Sequence, residues 1–600
     1  MLRPRLLLVG LFSLLICGIC HAQVTVTPMG TMPLPPPTAG EPPPKLDPET
    51  EKKALDLVET LAEQVLNLRA SANRVRAEVQ VADLLWVRDE KRARTLFTAA
   101  VSQLTTQISE LDYGDPEVYN EMTRINNSRQ ELVLRIAPHD GDMAIDALNR
   151  TRFQGDNRTR YGGNWTAGSE ANLEMMLANV ITAKNPDAAL KLARGSLSRG
   201  VSGSLLSFLP VLYQKDAKSA QVFYQEIVAR IKDDNPARNP ELANNAWNLL
   251  TSFQPPQAGE DAYRDLLTTM LGNLLSINRQ TQQGMNQAQN MFYQIERIVP
   301  LIEKYAPARA AELREWSRGI EKTVDPNTQI YQEIRRVSEK GTADDIMALA
   351  AKYPPEYQNL LYQNAAWKAV SSGDTAHAKE IAEKIADPVQ RRQVIDQLDN
   401  QAARAAEGDN KVIEARRLSE KASTINRKIE ILLQSAMALA PNDKKAALDL
   451  LSEAKSVLAS TPQSAAELNA QMQLIQVYLR LDPEQAFGQL QPLVVRLNEL
   501  VAAAVILDGI DYRYLKDGEW VMQGGNALSN LVTSLDRMLA GLGRVDFDRA
   551  RTLADQIGRP EMRVMMEIDL VQMTLSGKPA SPTQIFFGGR GISSGGFINQ

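Results

Sequence analysis

Cysteine occurs at two positions in 600, Cys17 and Cys20, and both lie in an apolar stretch near the N-terminus. Removal of that stretch would also remove any disulfide, thiolate zinc site or cysteine nucleophile. Histidine is nearly as scarce. Beyond His21 only His139 and His377 remain, far apart in the chain, which excludes a histidine-rich metal centre. Lys and Arg number 67 against 72 Asp and Glu, so composition gives no support to a nucleic-acid partner. Aromatics make up 6% of the residues, which is thin for a polysaccharide-processing cleft. Past the N-terminus no segment reaches the roughly 18 uninterrupted apolar residues that a spanning helix requires. A glycine-rich phosphate loop is missing as well, because Gly524-Gly525 and Gly588-Gly589 do not sit between a strand and a helix.

What is present at the N-terminus reads as a secretory signal over residues 1–22. Arg3 and Arg5 supply the positive region, Leu6 to Cys20 the apolar stretch, and Cys20-His21-Ala22 the small residues before cleavage. The expectation is a periplasmic or secreted bacterial protein with a cysteine-free mature chain. A lipid anchor through Cys17 or Cys20 is the weaker alternative, since each follows an isoleucine where a lipoprotein signal carries a small residue. Residues 23–46 hold eight prolines between Pro28 and Pro44, a density that forbids helix and reads as a disordered tether. Residues 576–600 are rich in Gly and Ser and read as a disordered tail.

Between these ends the apolar residues recur at helical spacing, starting with Leu55, Val58, Leu61, Val65 and Leu68 after the helix-opening pair Asp47-Pro48. A short pattern then repeats over residues 47–575. A polar capping residue is followed four positions later by a small residue, and three positions after that by a large apolar one. It reads Asp89, Ala93, Leu96; Asn185, Ala189, Leu192; Asp216, Ala220, Phe223; Asp374, Ala378, Ile381; Asp443, Ala447, Leu450; and Asp546, Ala550, Leu553. Looser copies start at Asp140, Thr342 and Asp482, and one at Ala415 with its cap displaced to Asn410.

Each element has a physical role. The cap side chain accepts a hydrogen bond from a first-turn N–H, worth about 1 kcal/mol against alanine. The small residue lets a neighbouring backbone approach, and a second one a turn later, at Ala193, Ala350, Ala382, Ser419 and Ala554, extends that narrow strip. Pro186 and Pro483 sit at the first helical position, where a missing N–H costs nothing. The spacings between Ile346, Ala378, Ala415, Ala447 and Ala486 are 32, 37, 32 and 39 residues, the length of one helix-turn-helix unit.

Gly373-Asp374 leading to Ala378 and then Asp387-Pro388 resembles the second helix and closing proline of a tetratricopeptide repeat. The resemblance covers about half of the chain, without the family's first-helix aromatic and Leu-Gly signature. It implies an all-α superhelical stack of antiparallel helix pairs, an α-solenoid whose concave face holds proteins or peptides.

Two segments interrupt the repeats. Residues 149–169 read as an irregular loop in which Arg150, Arg152, Arg158 and Arg160 alternate with Phe153, Tyr161 and Trp165, a mixture suited to an acidic glycan or carboxylate-bearing peptide. A surface loop with no ligand is the competing reading. At about 508–525, Tyr512 and Tyr514 precede Asp517-Gly518 and Trp520 follows, which predicts a β-hairpin inserted between helices. Tyr512, Tyr514 and Trp520 either anchor a partner or dock the hairpin on its neighbours; Arg152, Arg160 and Trp165 are the other candidate contacts. No catalytic residue, cofactor or metal ligand is predicted, and His139 reads as a turn residue. The function expected is a protein- or peptide-binding scaffold in the cell envelope. The rival is a carbohydrate-active envelope enzyme built on a helical toroid or superhelical arm.

Overall fold

Asp47 accepts a hydrogen bond from the Thr50 N–H at 3.0 Å and opens the first of twenty-six α-helices among the described residues. The structure, a computed structural model, describes residues 46–576 apart from 114–117, 154–163, 278–298, 322–325, 406–407, 423, 459–461, 463, 511–512 and 522–526. The segments read as signal, tether (up to residue 45) and tail (from residue 577) lie outside these residues.

Helix α1 spans Pro48–Gln64 and runs into a single 3₁₀ turn at Val65–Asn67. Next come α2 (Ser71–Leu85), α3 (Glu90–Ser109), α4 (Val118–Ile136), α5 (Gly141–Arg150), α6 (Asn164–Ile181), α7 (Pro186–Leu197), α8 (Gly203–Lys215), α9 (Ala217–Asp233), α10 (Pro240–Ser252) and α11 (Glu260–Leu275). They are followed by α12 (Val299–Tyr305), α13 (Pro307–Glu321), α14 (Pro326–Lys340), α15 (Ala343–Ala350), α16 (Pro355–Ser371), α17 (Thr375–Ala382), α18 (Pro388–Ala405) and α19 (Gly408–Lys421). Then come α20 (Ile425–Leu439), α21 (Lys444–Val457), α22 (Ala465–Leu481) and α23 (Pro483–Ile506). A hairpin of β1 (Leu515–Lys516) and β2 (Glu519–Trp520) precedes α24 (Ala527–Leu542), α25 (Phe547–Asp555) and α26 (Pro560–Ser576). This is an all-α helical repeat fold with one small antiparallel sheet.

The capping pattern marks one class of helix. Asp89, Asp140, Asn185, Asp216, Thr342, Asp374, Asp443, Asp482 and Asp546 each accept from the N–H three residues on, and each opens an odd-numbered helix. Ala93, Ala144, Ala189, Ala220, Ala378, Ala447, Ala486 and Ala550 are all 0% exposed, so a neighbouring helix fills the space a larger side chain would need. One copy departs from the expectation. Asn410 lies within α19, which starts at Gly408, so it is no cap, although Ala415 and Leu418 are buried as the pattern requires.

Over α2 to α11 and α14 to α26 the even-numbered helices form one layer and the odd-numbered ones the other. From α2 to α10 and from α14 to α26 each even helix packs on its even neighbours and is backed by the odd helix that follows it. By that rule α26 has no backing helix, because the described chain stops there. Helix α1 takes the place. It packs along α26 and touches α25, while α2 packs on α26 as the next even helix. Lys53 of α1 reaches Asp548 of α25 at 2.7 Å. The last repeat is thus assembled from the two ends of the described chain, and the stack runs through this junction without a break. Buried apolar residues from Ala54 to Trp316 and from Ala415 to Val571, Leu418 and Ile431 apart, form one core across it, while Ile334 to Leu398 form a second cluster. Close packing continues at the far end of α26, where any β-carbon on Gly543 would fall 2.2 Å from the Thr574 hydroxyl.

Two boundaries differ from the sequence reading. Helix α5 runs to Arg150 and α6 starts at Asn164, so Asn149, Arg150 and residues 164–169 are helical and the connection between the two helices is 151–163 and not 149–169. Ser576 belongs to α26 and not to the tail.

Candidate functional site

The hairpin lies in a connection from an odd helix, α23, to the even helix that follows it, α24, and so on the rim of the stack where such connections run. Asp517 and Gly518 have φ of 52° and 78°, the paired positive values of the tight turn that Asp-Gly favours. Leu515 pairs with Trp520 and Lys516 with Glu519. Upstream, the Asp508 carboxylate accepts from the Tyr514 and Leu515 N–H groups at 2.6 and 2.9 Å, which fixes the entry to β1.

The hairpin grips three helices. Glu519 accepts from the Arg69 and Ala70 N–H groups at 2.7 and 3.0 Å and from the Asn73 amide at 3.3 Å. Ala70 precedes α2 and has no side-chain oxygen to cap it; a carboxylate 449 residues away in sequence instead binds the Ala70 N–H and places its charge at the positive end of the helix. The Trp520 N–H donates to Glu561 of α26 at 2.7 Å, and Arg559 donates to the Gly518 carbonyl at 2.6 Å. Lys516 pairs with Glu121 of α4 at 2.8 Å. The hairpin therefore sits over the junction between the ends of the described chain and ties α26 to α2 and α4.

The next rim connection is held by ion pairs. Arg129 of α4, wholly buried, donates to both Glu170 oxygens at 2.6 and 3.2 Å and to the Thr151 hydroxyl at 3.2 Å. Its guanidinium lies 5.2 Å from the centre of the Phe153 ring. Arg152 donates to Glu174 at 2.7 Å, and Arg199 pairs with the same carboxylate.

No family description matches the chain, and no curated protein matches it by sequence. Among solved structures it is similar to a circular tandem repeat protein with novel repeat topology and enhanced subunit contact surfaces, at 11% identity and a TM-score of 0.23, over 88% of this chain and 99% of that one. The closure of the stack is read from this chain's own contacts.

The six residues singled out in the sequence fare differently. Trp520 is 1% exposed and stacks on Tyr514 with ring centres 4.9 Å apart, so the two aromatics pack the hairpin onto the core. Arg152 is engaged by Glu174. Trp165 lies in the first turn of α6, with its side chain outside the described residues, as are Tyr512 and Arg160.

One arrangement escaped the sequence reading. At the opposite rim, His139 Nε2 lies 2.7 Å from Asp83, and Arg135 donates to the other oxygen of Asp83 at 2.7 Å. Trp86 stacks on His139 at 4.7 Å, with the Arg94 guanidinium 4.7 Å from its ring centre. Burial would raise the Asp83 carboxyl, but the His139 bond and the Arg135 charge outweigh it and hold the group below its ordinary value. The signal lay in position: Asp83 and Arg135 stand six and five residues before the caps Asp89 and Asp140, so adjacent turns bring them together. Among the described residues no cluster of three or more His, Cys, Asp or Glu could hold a metal ion.

Proposed function

We propose that this chain is a binding scaffold for proteins or peptides, exported to the bacterial envelope, and that it carries no catalytic centre. Its helical repeats provide the scaffold. The observation that carries the reading is the end of α23. Asn498 donates to the Gln556 carbonyl at 2.8 Å and accepts from the Gly558 N–H at 2.9 Å, which sets α23 level with the end of α25. From there α23 continues for eight residues to Ile506, about 12 Å at 1.5 Å per residue. This extension presents Ile506, Leu507 and Ile510 at 78, 45 and 81% exposure. Apolar surface clustered in this way marks an interaction site more often than a solvated face.

By length and composition α23 is the one described helix that could cross a membrane. Its Phe487, Leu490, Leu493, Val494 and Leu497 are buried in the core instead, and beyond the isolated Val495 its exposed large apolar side chains gather at the end of the extension. The export half of the proposal rests on residues 1–22 and is tested by N-terminal sequencing of protein recovered from the envelope fraction, expected to begin at Gln23. The binding half is tested with a photo-crosslinking residue at Ile510. A discrete adduct that disappears when Ile506 is changed to Asp, at unchanged melting temperature, is the expected result. An adduct pattern indifferent to that change would contradict it.

A further inference from the structure

Helix α26 is covered on nearly every side, yet Glu561, Glu567 and Asp569 point into that cover, each less than a tenth exposed. Glu561 is satisfied by the Trp520 N–H and by Arg559. Asp569 is not satisfied in this way. Asp569 and Asp536 of α24 are buried together, and one oxygen on each finds no N–H or hydroxyl donor. The two carboxyls meet each other instead. Glu567, buried, meets the exposed carboxyl of Asp555 on α25. Two carboxyls in contact form a hydrogen bond only with a proton between them; with both ionised they repel. The repeat assembled from α26 and α1 is therefore attached to the preceding one by two acid pairs, one on each of its helices.

The surrounding charges work in both directions. Arg76 of α2 and Arg537 of α24 face the Asp536–Asp569 pair, and Glu131 of α4 sits beside Arg76 while accepting from Gln80 at 3.1 Å. Arg551 and Arg563 face the Glu567–Asp555 pair. These cations favour ionised carboxylates. Burial, followed by the Asp569 charge, opposes them at Asp536 and holds its carboxyl well above the ordinary range. Burial, followed by the Asp555 carboxyl, pushes Glu567 up to about 7.

We propose that this junction is a proton-dependent latch: the repeat formed by α26 and α1 docks on α24 and α25 while each acid pair holds its proton, and loosens when the pairs ionise. The closed form binds protons that the open form gives up. A carboxyl raised above its unfolded value stabilises closure at acid pH, and for Glu567 that contribution is lost as pH rises from about 4.5 towards about 7.

Hydrogen exchange of the full chain, corrected for intrinsic exchange and followed from about pH 5 to about pH 9, tests this. Amides of α1 and α26 should lose protection by about tenfold or more over that range, while α20 and α21 hold theirs. Asp569→Asn and Glu567→Gln each place an amide donor against the partner carboxylate without a titrating proton, and should flatten the loss. Equal protection at both ends of the range in the unaltered chain would overturn the proposal. So would an undiminished loss in both variants. If Asp569→Asn does not fold, Glu567→Gln decides alone: a reduced loss supports the latch and an unchanged one removes it.

Discussion

Changing Glu519 to Ala removes one acceptor from three donors at once, and the structure sets the size of the effect. The Ala70 N–H is buried and the Arg69 N–H half-buried, and neither has another partner within its own helix because both precede the first turn of α2. A buried donor left unpaired costs about 1 to 3 kcal/mol, so the two together should cost roughly 2 to 5 kcal/mol, with water relieving part of the penalty at Arg69. The Asn73 amide keeps its bond to the Trp520 carbonyl at 2.9 Å and adds little. Lys516→Ala on the facing strand is the control. Its pair with Glu121 is partly exposed, and exposed pairs are worth about 1 kcal/mol or less. Urea titration of the two variants should separate them clearly, and hydrogen exchange should locate the extra opening of Glu519→Ala in α2 and α26. If both variants unfold within about 0.5 kcal/mol of one another, the hairpin does not hold the entry to α2 and the reasoning fails.

Ala378→Leu should destabilise the fold by about 1 to 3 kcal/mol through overpacking, because Ala378 is fully buried against the next helix, while Lys379→Leu on the same turn should not. Equal thermal shifts would contradict the repeat register. Asp83→Asn should change acid unfolding in a defined direction: the depressed Asp83 carboxyl contributes stability above its ordinary value that is lost as pH falls through the depressed one, so the variant should lose stability near neutrality and show a shallower acid limb. Parallel acid limbs would show that the His139 and Arg135 bonds carry no such weight.

The helix starts were legible because capping is local. An Asp followed at a fixed distance by Ala and a large apolar residue determines its own first turn, and Asp374, Asp443 and Asp546 needed nothing from the rest of the chain. The hairpin was legible for the same reason, since Asp517-Gly518 carries its turn geometry in two residues. The closure was not. Nothing near Pro48 states that α1 will complete a repeat started by α26, because spacings along the chain give no distance between its ends. Which of its two readings Trp520 takes was not legible either: the groups that hold its backbone, Glu561 and Asn73, lie 41 and 447 residues away. Asn410 was misread as a cap because the helix there starts earlier than the pattern implies.

The central claim is that the two ends of the described chain meet in one repeat, and Lys53 with Asp548 tests it most directly. Their charged atoms are 2.7 Å apart across the closure. A carbodiimide forms an amide only between an amine and a carboxylate already in contact, so treating the folded protein and mapping the products by mass spectrometry should recover the Lys53–Asp548 crosslink. Lys232 and Asp265, 2.9 Å apart within the stack, provide the internal standard. The account predicts comparable yields for the two crosslinks. Recovery of the Lys232–Asp265 product without the Lys53–Asp548 product would contradict it.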